Sequence, residues 1–423
     1  MPVTPSRPTK GHDSAVPIAL DRFCVGAAVE KERMMDRVRL GMIGSQFAAH
    51  LHLNSLSKLR GSKVDVVAVA SKNKEHAQSF AKSFHIPDAY DDYRLILERK
   101  DVQVVDLCLT TDLHHTTAME AANAGKHIIC EKPLTGYFGE PRSVSFQSMM
   151  EEAFKNASAT QKAVQANKVK FCYAENFVYA PPVTKLKSLM RACQGTVLDI
   201  RAEESHSGSH APYSREWRTS GGGSLMRLGS HPIGAVLHLK HFEGMMKFGR
   251  PIRAKSIIGD IGHLTKMEAF QKEPKKWMVD SWVDVEDWSA ALITFEDGSK
   301  ATLHATDVSL GGVKNLLSVY LSNAVAYANI NPNTSIVVYS PEGNVFGSEY
   351  ITEKVETKAG WQFPSPNEDW MRGYPQELED FIDAVRLDKE PISGIELARE
   401  VVEVIYAVYA SSEKGIRIDL KRS

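Results

Sequence analysis

Short apolar runs alternate with amphipathic stretches between residue 37 and about residue 158. Four such runs cover residues 38–44, 64–70, 102–109 and 127–130. Brief apolar runs bounded by turn residues are typical of buried strands, and the stretches between them have helical spacing. We therefore predict an α/β domain in which helices join the strands of a doubly wound parallel sheet.

The pattern changes in the second part of the chain. Residues 144–167 and 181–192 have helical spacing, and residues 169–180 predict a strand that ends in polar residues. Further strands are predicted at 195–207, 252–259, 288–295, 299–307, 316–321, 324–329 and 336–339. Asp297-Gly298 is typical of a hairpin turn between two of them. With amphipathic helices at 374–384 and 394–411, this part predicts an α+β domain with a large, mostly antiparallel open sheet.

Composition narrows the class of protein. The chain has 423 residues, enough for two domains, and its 51 basic and 52 acidic side chains leave a net charge of −1. Such a balance gives no electrostatic reason to expect binding to nucleic acid or to a membrane. The five cysteines show no Cys-x-x-Cys spacing, and no signal-peptide pattern opens the chain, so we expect a cytoplasmic protein.

The first strand ends in a turn that resembles a dinucleotide-binding loop. Gly44 and Ala49 fit the pattern Gly-x-Gly-x-x-Gly/Ala, while Gln46 replaces the middle glycine. Strand, turn and helix together would aim backbone N–H groups at a phosphate. We therefore predict a Rossmann domain at residues 37–158, preceded by a flexible arm at 1–36 and followed by a substrate-binding and oligomerisation domain at 159–423. The last helices could pack back on the Rossmann domain.

The residues expected at the cofactor lie where these strands end. An acidic residue after the second strand would favour NAD by holding a ribose hydroxyl, but Ser71 and Lys72 stand there instead. Lys72 could pair with the 2′-phosphate of NADP, so both NAD and NADP remain open. The full set of predicted cofactor-binding residues is Gly44, Gln46, Phe47, Ala48, Ser71, Lys72, Thr110, Thr111, His114, Glu131 and Lys132.

Lys132 follows the fourth strand in the sequence Glu131-Lys132-Pro133. Open α/β sheets bind ligands outside the carboxyl ends of their strands, which is where this lysine lies. Pro133 restricts the backbone of Lys132 to extended conformations. The ammonium group could polarise a substrate oxygen or stabilise a forming alkoxide.

A second candidate segment is glycine-rich and contains His231. It reads Gly221-Gly-Gly-Ser-Leu-Met-Arg-Leu-Gly-Ser-His231, with Arg227 and His231 four positions apart and so expected on one helical face. Histidine is suited to accept an alcohol proton at neutral pH. A nearby arginine would keep the imidazole neutral.

Polar residues of the second domain suggest carbohydrate recognition. Glu175, Asn176 and Tyr179 follow one predicted strand, and Glu204, His206, His210, Tyr213 and Trp217 lie on or after another. Aromatic rings stacked on sugar faces, with carboxylates bound to hydroxyls, are common in such sites. The predicted substrate-binding set is Lys132, Glu175, Tyr179, His206, Trp217, Arg227 and His231. Glu175, His206 and His231 are also candidates for a metal site, although their spacing does not require one.

These motifs resemble the Gfo/Idh/MocA family of NAD(P)-dependent sugar and cyclitol oxidoreductases. The marks are the Gly44 turn, Ala124-Gly-Lys-His-Ile-Ile-Cys-Glu-Lys-Pro133, the 221–231 segment and Tyr374-Pro-Gln-Glu-Leu-Glu-Asp-Phe381. The resemblance implies that Lys132 is the catalytic lysine and His231 the catalytic base. It also implies a dinucleotide across the Gly44 turn and a homodimer or homotetramer formed through the second-domain sheet.

Three positions depart from the family pattern. Gln46 replaces a glycine, Thr111 replaces a frequent proline, and Arg227 occupies the usual aspartate position four residues before His231. Three alternatives are open for Arg227: it binds an anionic group of the substrate, it tunes His231, or it marks damaged catalysis.

The sequence thus predicts an NAD(P)-dependent oxidoreductase that acts on a secondary hydroxyl of a sugar, glycoside or cyclitol. One alternative is a redox-neutral, glycoside-processing enzyme with tightly bound NAD. Another is a non-catalytic dinucleotide-binding protein. The expected partner is a small sugar or polyol, with neither nucleic acid nor membrane.

Overall fold

The computed structural model describes residues 37–59, 63–332 and 334–420. The predicted arm at residues 1–36 lies outside this part of the chain. Within the described residues no helix is long and apolar enough to cross a membrane.

The first sheet has six parallel strands in the order β3-β2-β1-β4-β5-β6. Its strands are β1 Val38–Ile43, β2 Val64–Ala70, β3 Asp88–Tyr90, β4 Val104–Leu107, β5 His127–Glu131 and β6 Phe171–Ala174. The helices between them are α1 Phe47–Ser57, α2 Lys74–Phe84, α3 Arg94–Leu97, α4 Thr111–Asn123 and α5 Phe146–Asn167. Strand order reverses between β1 and β4, which opens a crevice at the carboxyl ends of the strands, as in doubly wound folds.

Strand β6 corrects one expectation. The pattern of residues 169–180 predicts one strand of the second domain, but β6 ends at Ala174 and pairs in parallel with β5. A 3-10 turn at Asn176–Val178 follows, and then helix α6 begins at Pro181. The strand therefore extends the first sheet, because its four residues are fully buried against β5 rather than half-exposed as on an open sheet face.

The second sheet has seven strands in the order β12-β11-β7-β10-β9-β8-β15. Its strands are β7 Val197–Ser205, β8 Ala254–Gly262, β9 Trp288–Phe295, β10 Lys300–Thr306, β11 Lys314–Leu321, β12 Val325–Asn331 and β15 Ile418–Asp419. Buried and less buried residues alternate along β9, β10 and β11, as expected where only one face is covered. All pairs are antiparallel except β7 with β10, whose carboxyl ends therefore lie side by side.

The remaining helices lie in the second part of the chain, and several of them pack on this sheet or on the first domain. They are α6 Pro181–Cys193, α7 Trp217–Ser220, α8 Ser224–Arg227, α9 Ser230–Phe248, α10 Glu268–Gln271, α11 Glu368–Arg372, α12 Tyr374–Arg386 and α13 Ile395–Lys414. Helix α9 packs on β7 and β10, α12 packs on α1, and α13 packs on α5 and β8.

The strand predicted at 336–339 does not join the large sheet. Its counterpart β13 Val338–Ser340 pairs only with β14 Gly360–Gln362, in a separate hairpin. The predicted fold class, a doubly wound parallel sheet followed by an α+β domain with an open sheet, is confirmed.

Candidate active site

A cleft of about 420 Å³ lies between the carboxyl edge of the first sheet and the second sheet. Its first wall comes from the Rossmann-like part: Phe47, Ala48, Leu51, Leu109, Thr111, His114, Glu131 and Lys132. The opposite wall includes Glu204, His206, His210, Tyr213, Arg227, His231, Glu353, Lys354, Arg372 and Tyr374. The structure therefore brings Lys132 and His231, the two predicted catalytic residues, to one cleft.

The turn at Gly44 fits a dinucleotide phosphate. Gly44 has a φ of +119°, and an added Cβ would overlap the carbonyl oxygen of Cys108, so only glycine suits this position. The first turn of α1 has no side-chain cap and no acidic residue, which leaves its N–H groups and positive dipole end available to an anion. Gln46 is exposed and has a φ of −100°, which any residue can adopt, so its presence does not distort the turn.

Replacing Gly44 with alanine is expected to lower the free energy of unfolding by about 1–3 kcal/mol, because the new methyl group overlaps the backbone of Cys108, just after β4. The shifted turn should also weaken NAD binding at least tenfold in a fluorescence titration. Gly125→Ala is the matched control, since Gly125 also has a positive φ but open space around its Cβ position. Equal dinucleotide affinity in both variants would contradict the assignment of this turn.

The end of β2 presents no carboxylate to a ribose. The Ser71 hydroxyl accepts a hydrogen bond from the Ser45 hydroxyl at 3.0 Å, which ties it to the Gly44 turn. Lys72 is exposed, and Asn73 caps α2 by accepting from the His76 N–H. This arrangement leaves NAD and NADP both compatible with the site.

A buried histidine supports the residue before Lys132. The two ring nitrogens of His52 lie 2.9 Å from Asp106 Oδ2 and 3.1 Å from Glu131 Oε1. Burial favours the neutral imidazole, but Asp106 raises the pKa of His52 well above its ordinary value. Burial likewise opposes ionisation of Glu131, yet His52 and then Lys132 lower the pKa of Glu131. Glu131 Oε2 accepts from the Lys132 N–H, so the network fixes the backbone that carries the lysine.

The Lys132 side chain crosses the cleft. Its Nζ donates a hydrogen bond of 2.7 Å to the Arg227 carbonyl oxygen, on the segment just before His231. Two further N–H groups of the ammonium remain for a ligand in the cleft. Lys132 is thus held beside His231 from the opposite wall.

His231 lies between two buried carboxyl groups. Its Nδ1 is 2.7 Å from Glu175 Oε1, and its Nε2 is 4.0 Å from Glu204 Oε2. The Phe177 ring stacks on the imidazole with centroids 4.8 Å apart. Burial, followed by the positive charges of Lys132 and Arg372, lowers the pKa of His231 well below its ordinary value. Burial raises the pKa of Glu204 to about 7. The imidazole is therefore neutral and available as a proton acceptor.

Arg227 is placed differently from the prediction. It ends α8, whereas His231 belongs to α9, so the two do not share a helical face. Its guanidinium pairs with the Asp307 carboxylate and stacks on Trp282 at 4.8 Å. Its charge contributes to the lowered pKa of His206, after burial, and not to that of His231. Asp307 therefore neutralises the guanidinium, and the helical face that Arg227 and His231 were expected to share is absent.

Parallel pairing of β7 and β10 explains why sequence analysis missed Asp307. Glu204 and Ser205 on β7 lie opposite Ala305 and Thr306 on β10, so the residues that follow both strands meet at one edge. His206 Nδ1 accepts the Gly208 N–H at 2.9 Å and lies 3.6 Å from Asp307. Antiparallel pairing of these two strands would have placed these two ends far apart.

Three charged residues of the cleft were also missed. Glu353 and Lys354 lie in the long segment between β13 and β14, and Arg372 ends α11. Arg372 donates to Glu353 at 2.5 Å, and Lys354 Nζ donates to the Gly208 carbonyl oxygen at 2.9 Å. The only local signal was the position of Arg372 two residues before Tyr374, the start of a family mark.

Three predicted substrate contacts, Glu175, Tyr179 and Trp217, do not line the cleft. The Tyr179 hydroxyl donates to Asp380 and accepts from the Ser393 N–H, in the interior beneath α12. The Trp217 indole is buried and donates to the Tyr137 carbonyl oxygen at 2.9 Å, packed on Tyr409. Both rings pack in the core, because all their polar atoms find internal partners there.

Several other predicted residues have structural partners. Thr110 precedes the first turn of α4, and both ring nitrogens of His114 lie within 3.1 Å of backbone carbonyl oxygens.

The proposed metal ligands Glu175, His206 and His231 do not gather their donor atoms in one place. Among the described residues, His52, Asp106 and Cys108 are the one group whose donor atoms lie close enough together to hold a metal ion. The two ring nitrogens of His52 already contact the carboxylates of Asp106 and Glu131.

Fold and cleft together define a two-domain protein with a Rossmann dinucleotide domain. Residues 38–172 match a family described as "Oxidoreductase family, NAD-binding Rossmann fold", and residues 184–327 match the GFO/IDH/MocA C-terminal domain. The matches follow the two sheets in order and cover more than half of the 423 residues. The chain belongs to the GFO/IDH/MocA family, which confirms the resemblance and the predicted NAD-binding Rossmann fold.

Relatives and solved structures agree with this family. The chain is 27% identical over 191 residues to trans-1,2-dihydrobenzene-1,2-diol dehydrogenase of Mus musculus, covering 44% of this chain and 52% of that protein. It is 27% identical over 217 residues to levoglucosan dehydrogenase of Pseudarthrobacter phenanthrenivorans, covering 48% and 52%. The chain thus spans about half the length of these curated relatives.

The solved structures match over almost the whole chain. GenD2 from gentamicin A biosynthesis, in complex with NAD, superposes with a TM-score of 0.74 at 20% identity, covering 94% of this chain and 100% of that one. Levoglucosan dehydrogenase in complex with NADH gives a TM-score of 0.69 at 18% identity, covering 92% and 100%. At these identities the likeness establishes the shared fold.

Proposed function

We propose that this protein is an NAD(P)-dependent oxidoreductase that transfers a hydride between the nicotinamide and a secondary hydroxyl or ketone of a sugar, glycoside or cyclitol. The observation that carries the proposal is the meeting of Lys132 and His231 in one cleft, beside the Gly44 turn. Named relatives that act on dihydrodiol or levoglucosan substrates support it.

Each residue has a defined task in this proposal. Lys132 donates a hydrogen bond to the substrate hydroxyl and stabilises the alkoxide as it forms. His231 accepts the hydroxyl proton at Nε2, the nitrogen that faces the cleft. A bound nicotinamide would supply the hydride acceptor. Glu204 and neutral His206 line the cleft and could bind neighbouring hydroxyls of a polyol.

The proposal is tested by measuring absorbance at 340 nm with NAD or NADP and a panel of hexoses, glycosides and inositols. We expect turnover with at least one polyol, and preference between the two cofactors follows from the same assay. Binding of either cofactor without reduction by any member of the panel would contradict the proposal.

Charge near the base should control the pH profile. Because Arg372 lowers the pKa of His231, Arg372→Met should raise that pKa, and the unpaired Glu353 should raise it further. As the pH falls, His231 of this variant is then protonated at a higher pH than in the wild type. The acidic limb of the kcat/KM profile therefore moves to higher pH. Arg372→Lys, which keeps the charge, is the control. An unmoved limb in Arg372→Met would show that this charge does not act on the base.

A homo-oligomer is also proposed, formed by a second copy on the open face of the seven-stranded sheet. Leu198 on β7 and Val325 and Tyr327 on β12 are 54%, 52% and 67% exposed, which is unusual for large apolar side chains of one sheet. Light scattering should give a mass of at least twice 46.9 kDa. Tyr327→Glu should shift the mass towards the monomer, and a wild-type protein that stays monomeric at micromolar concentration would contradict the proposal.

A further inference from the structure

Glu175 is placed against His231 by the pairing of β6 with β5. Ala174 lies opposite Glu131, so the next residues along the two strands, Glu175 and Lys132, emerge side by side at the edge of the sheet. Glu175 is completely buried, and its carboxyl oxygen lies 2.7 Å from His231 Nδ1. This is a hydrogen bond between two buried titratable groups, one of which lines the cleft.

Helix α9 contains a glycine that makes room for this carboxyl group. Gly234 lies one turn after His231, in the interior of a 19-residue helix. Glycine in such a position costs about 1 kcal/mol relative to alanine, so its presence suggests a packing reason. A Cβ at Gly234 would lie 2.7, 2.9 and 3.0 Å from Cγ, Cδ and Oε2 of Glu175. Alanine would therefore push the carboxyl group away from the imidazole.

The other charged groups near His231 cannot replace Glu175. Arg227 is bound to Asp307, and Glu204 lies 4.0 Å from Nε2, beyond hydrogen-bonding distance. With Nδ1 directed at Glu175, Nε2 is the ring nitrogen left open to the cleft. A partner that holds one nitrogen protonated determines that the other is the acceptor.

We propose that Glu175 is the positioning residue that holds His231 in its Nε2-acceptor tautomer, and that Gly234 preserves the space this carboxylate needs. The proposal rests on the proposed function of His231. When the substrate is oxidised, its hydroxyl proton binds Nε2, and the hydride leaves separately with both electrons. Burial raises the pKa of Glu175, whereas the positive charge of Lys132 and the hydrogen bond from Nδ1 favour its ionised form. The Nδ1 proton is then held by this carboxylate, so the buried pair passes from one negative charge to none, which a low-dielectric site favours.

Kinetics of Glu175→Gln and Gly234→Ala test the role of the pair. Both should lower kcat by about 10²-fold or more with little change in the KM for the dinucleotide. Loss of the carboxylate should also move the acidic limb of kcat/KM to lower pH in Glu175→Gln, because imidazolium loses its counter-charge. Gly234→Ala should lower the melting temperature by only about a few degrees, because the gain in helix propensity offsets part of the cost of displacing a buried carboxyl group. Met245→Ala, an exposed change on α9, is the control expected to leave kcat unchanged.

A second measurement needs no turnover. Nitrogen-15 NMR of histidine-labelled protein at alkaline pH should show His231 protonated at Nδ1, with the resonance assigned by its loss in His231→Asn. Glu175→Gln and Gly234→Ala should both shift it. A wild-type His231 protonated at Nε2, or resonances unmoved in both variants, would overturn the proposal. If NMR shows the hydrogen bond between Glu175 and His231 but the protein turns over no polyol, only the proposed function is rejected.

Discussion

Lys132→Met should lower kcat/KM for oxidation of a secondary hydroxyl by about 10²–10³-fold, the usual loss when one donor to a developing oxyanion is removed. Methionine keeps the length and most of the volume of the side chain, so the change removes the ammonium and little else. The lost hydrogen bond to the Arg227 carbonyl is made at the cleft surface. The free energy of unfolding should therefore change little, and steady-state kinetics with a denaturant titration measure both effects.

Lys126→Met is the matched control for this variant. Lys126 is also partly buried and donates to the Arg99 and Val102 carbonyl oxygens, but it lies at the opposite end of β5 from Lys132. Lys126→Met should have a lower free energy of unfolding and an unchanged kcat/KM. A Lys132→Met protein that keeps kcat/KM within a few-fold of the wild-type value would remove the ammonium from the mechanism.

His231→Asn is expected to reduce kcat by about 10²–10⁴-fold, the contribution usual for a general base. Asparagine can still accept a hydrogen bond from the substrate but cannot take its proton. The remaining rate should rise with pH over the whole accessible range, because hydroxide then serves as the base. Steady-state rates from pH 5 to 10 measure this.

His238→Asn controls for the loss of a buried histidine from the same helix. His238 lies two turns further along α9 and contacts Lys187 at 3.0 Å, outside the cleft. Its replacement should leave the pH profile unchanged. If His231→Asn kept the wild-type profile as well, another group would be the base.

Local patterns were sufficient to predict strands β1, β2, β4 and β5 of the first sheet. Runs such as Val64–Ala70 are apolar because both faces of a parallel strand are covered, and glycine at position 44 is required by a positive φ against the Cys108 carbonyl. Lys132 was predictable because the carboxyl end of a parallel strand faces the cleft. Each of these inferences depends on neighbours in sequence.

Contacts between distant segments were not predictable in this way. Nothing within the sequence around His231 indicates that Glu175, 56 positions earlier, would bind its Nδ1. Nothing around Arg227 indicates Asp307, because the parallel pairing of β7 with β10 decides that contact. Tyr179 was assigned to substrate for its polar neighbours, yet its hydroxyl binds Asp380 in the core. An aromatic residue near a polar motif has the same local sequence pattern whether it lines the cleft or packs in the core.

The most direct test of hydride transfer follows an isotope. The protein is incubated with NAD or NADP and an inositol or hexose deuterated at its carbon-bound positions, and the reduced cofactor is examined by mass spectrometry. The account predicts deuterium on the nicotinamide of the wild-type reaction and about 10²-fold less in the same time with Lys132→Met. Reduced cofactor without deuterium, or substrate converted while no deuterium reaches the cofactor, would contradict direct transfer from a secondary hydroxyl carbon in this cleft.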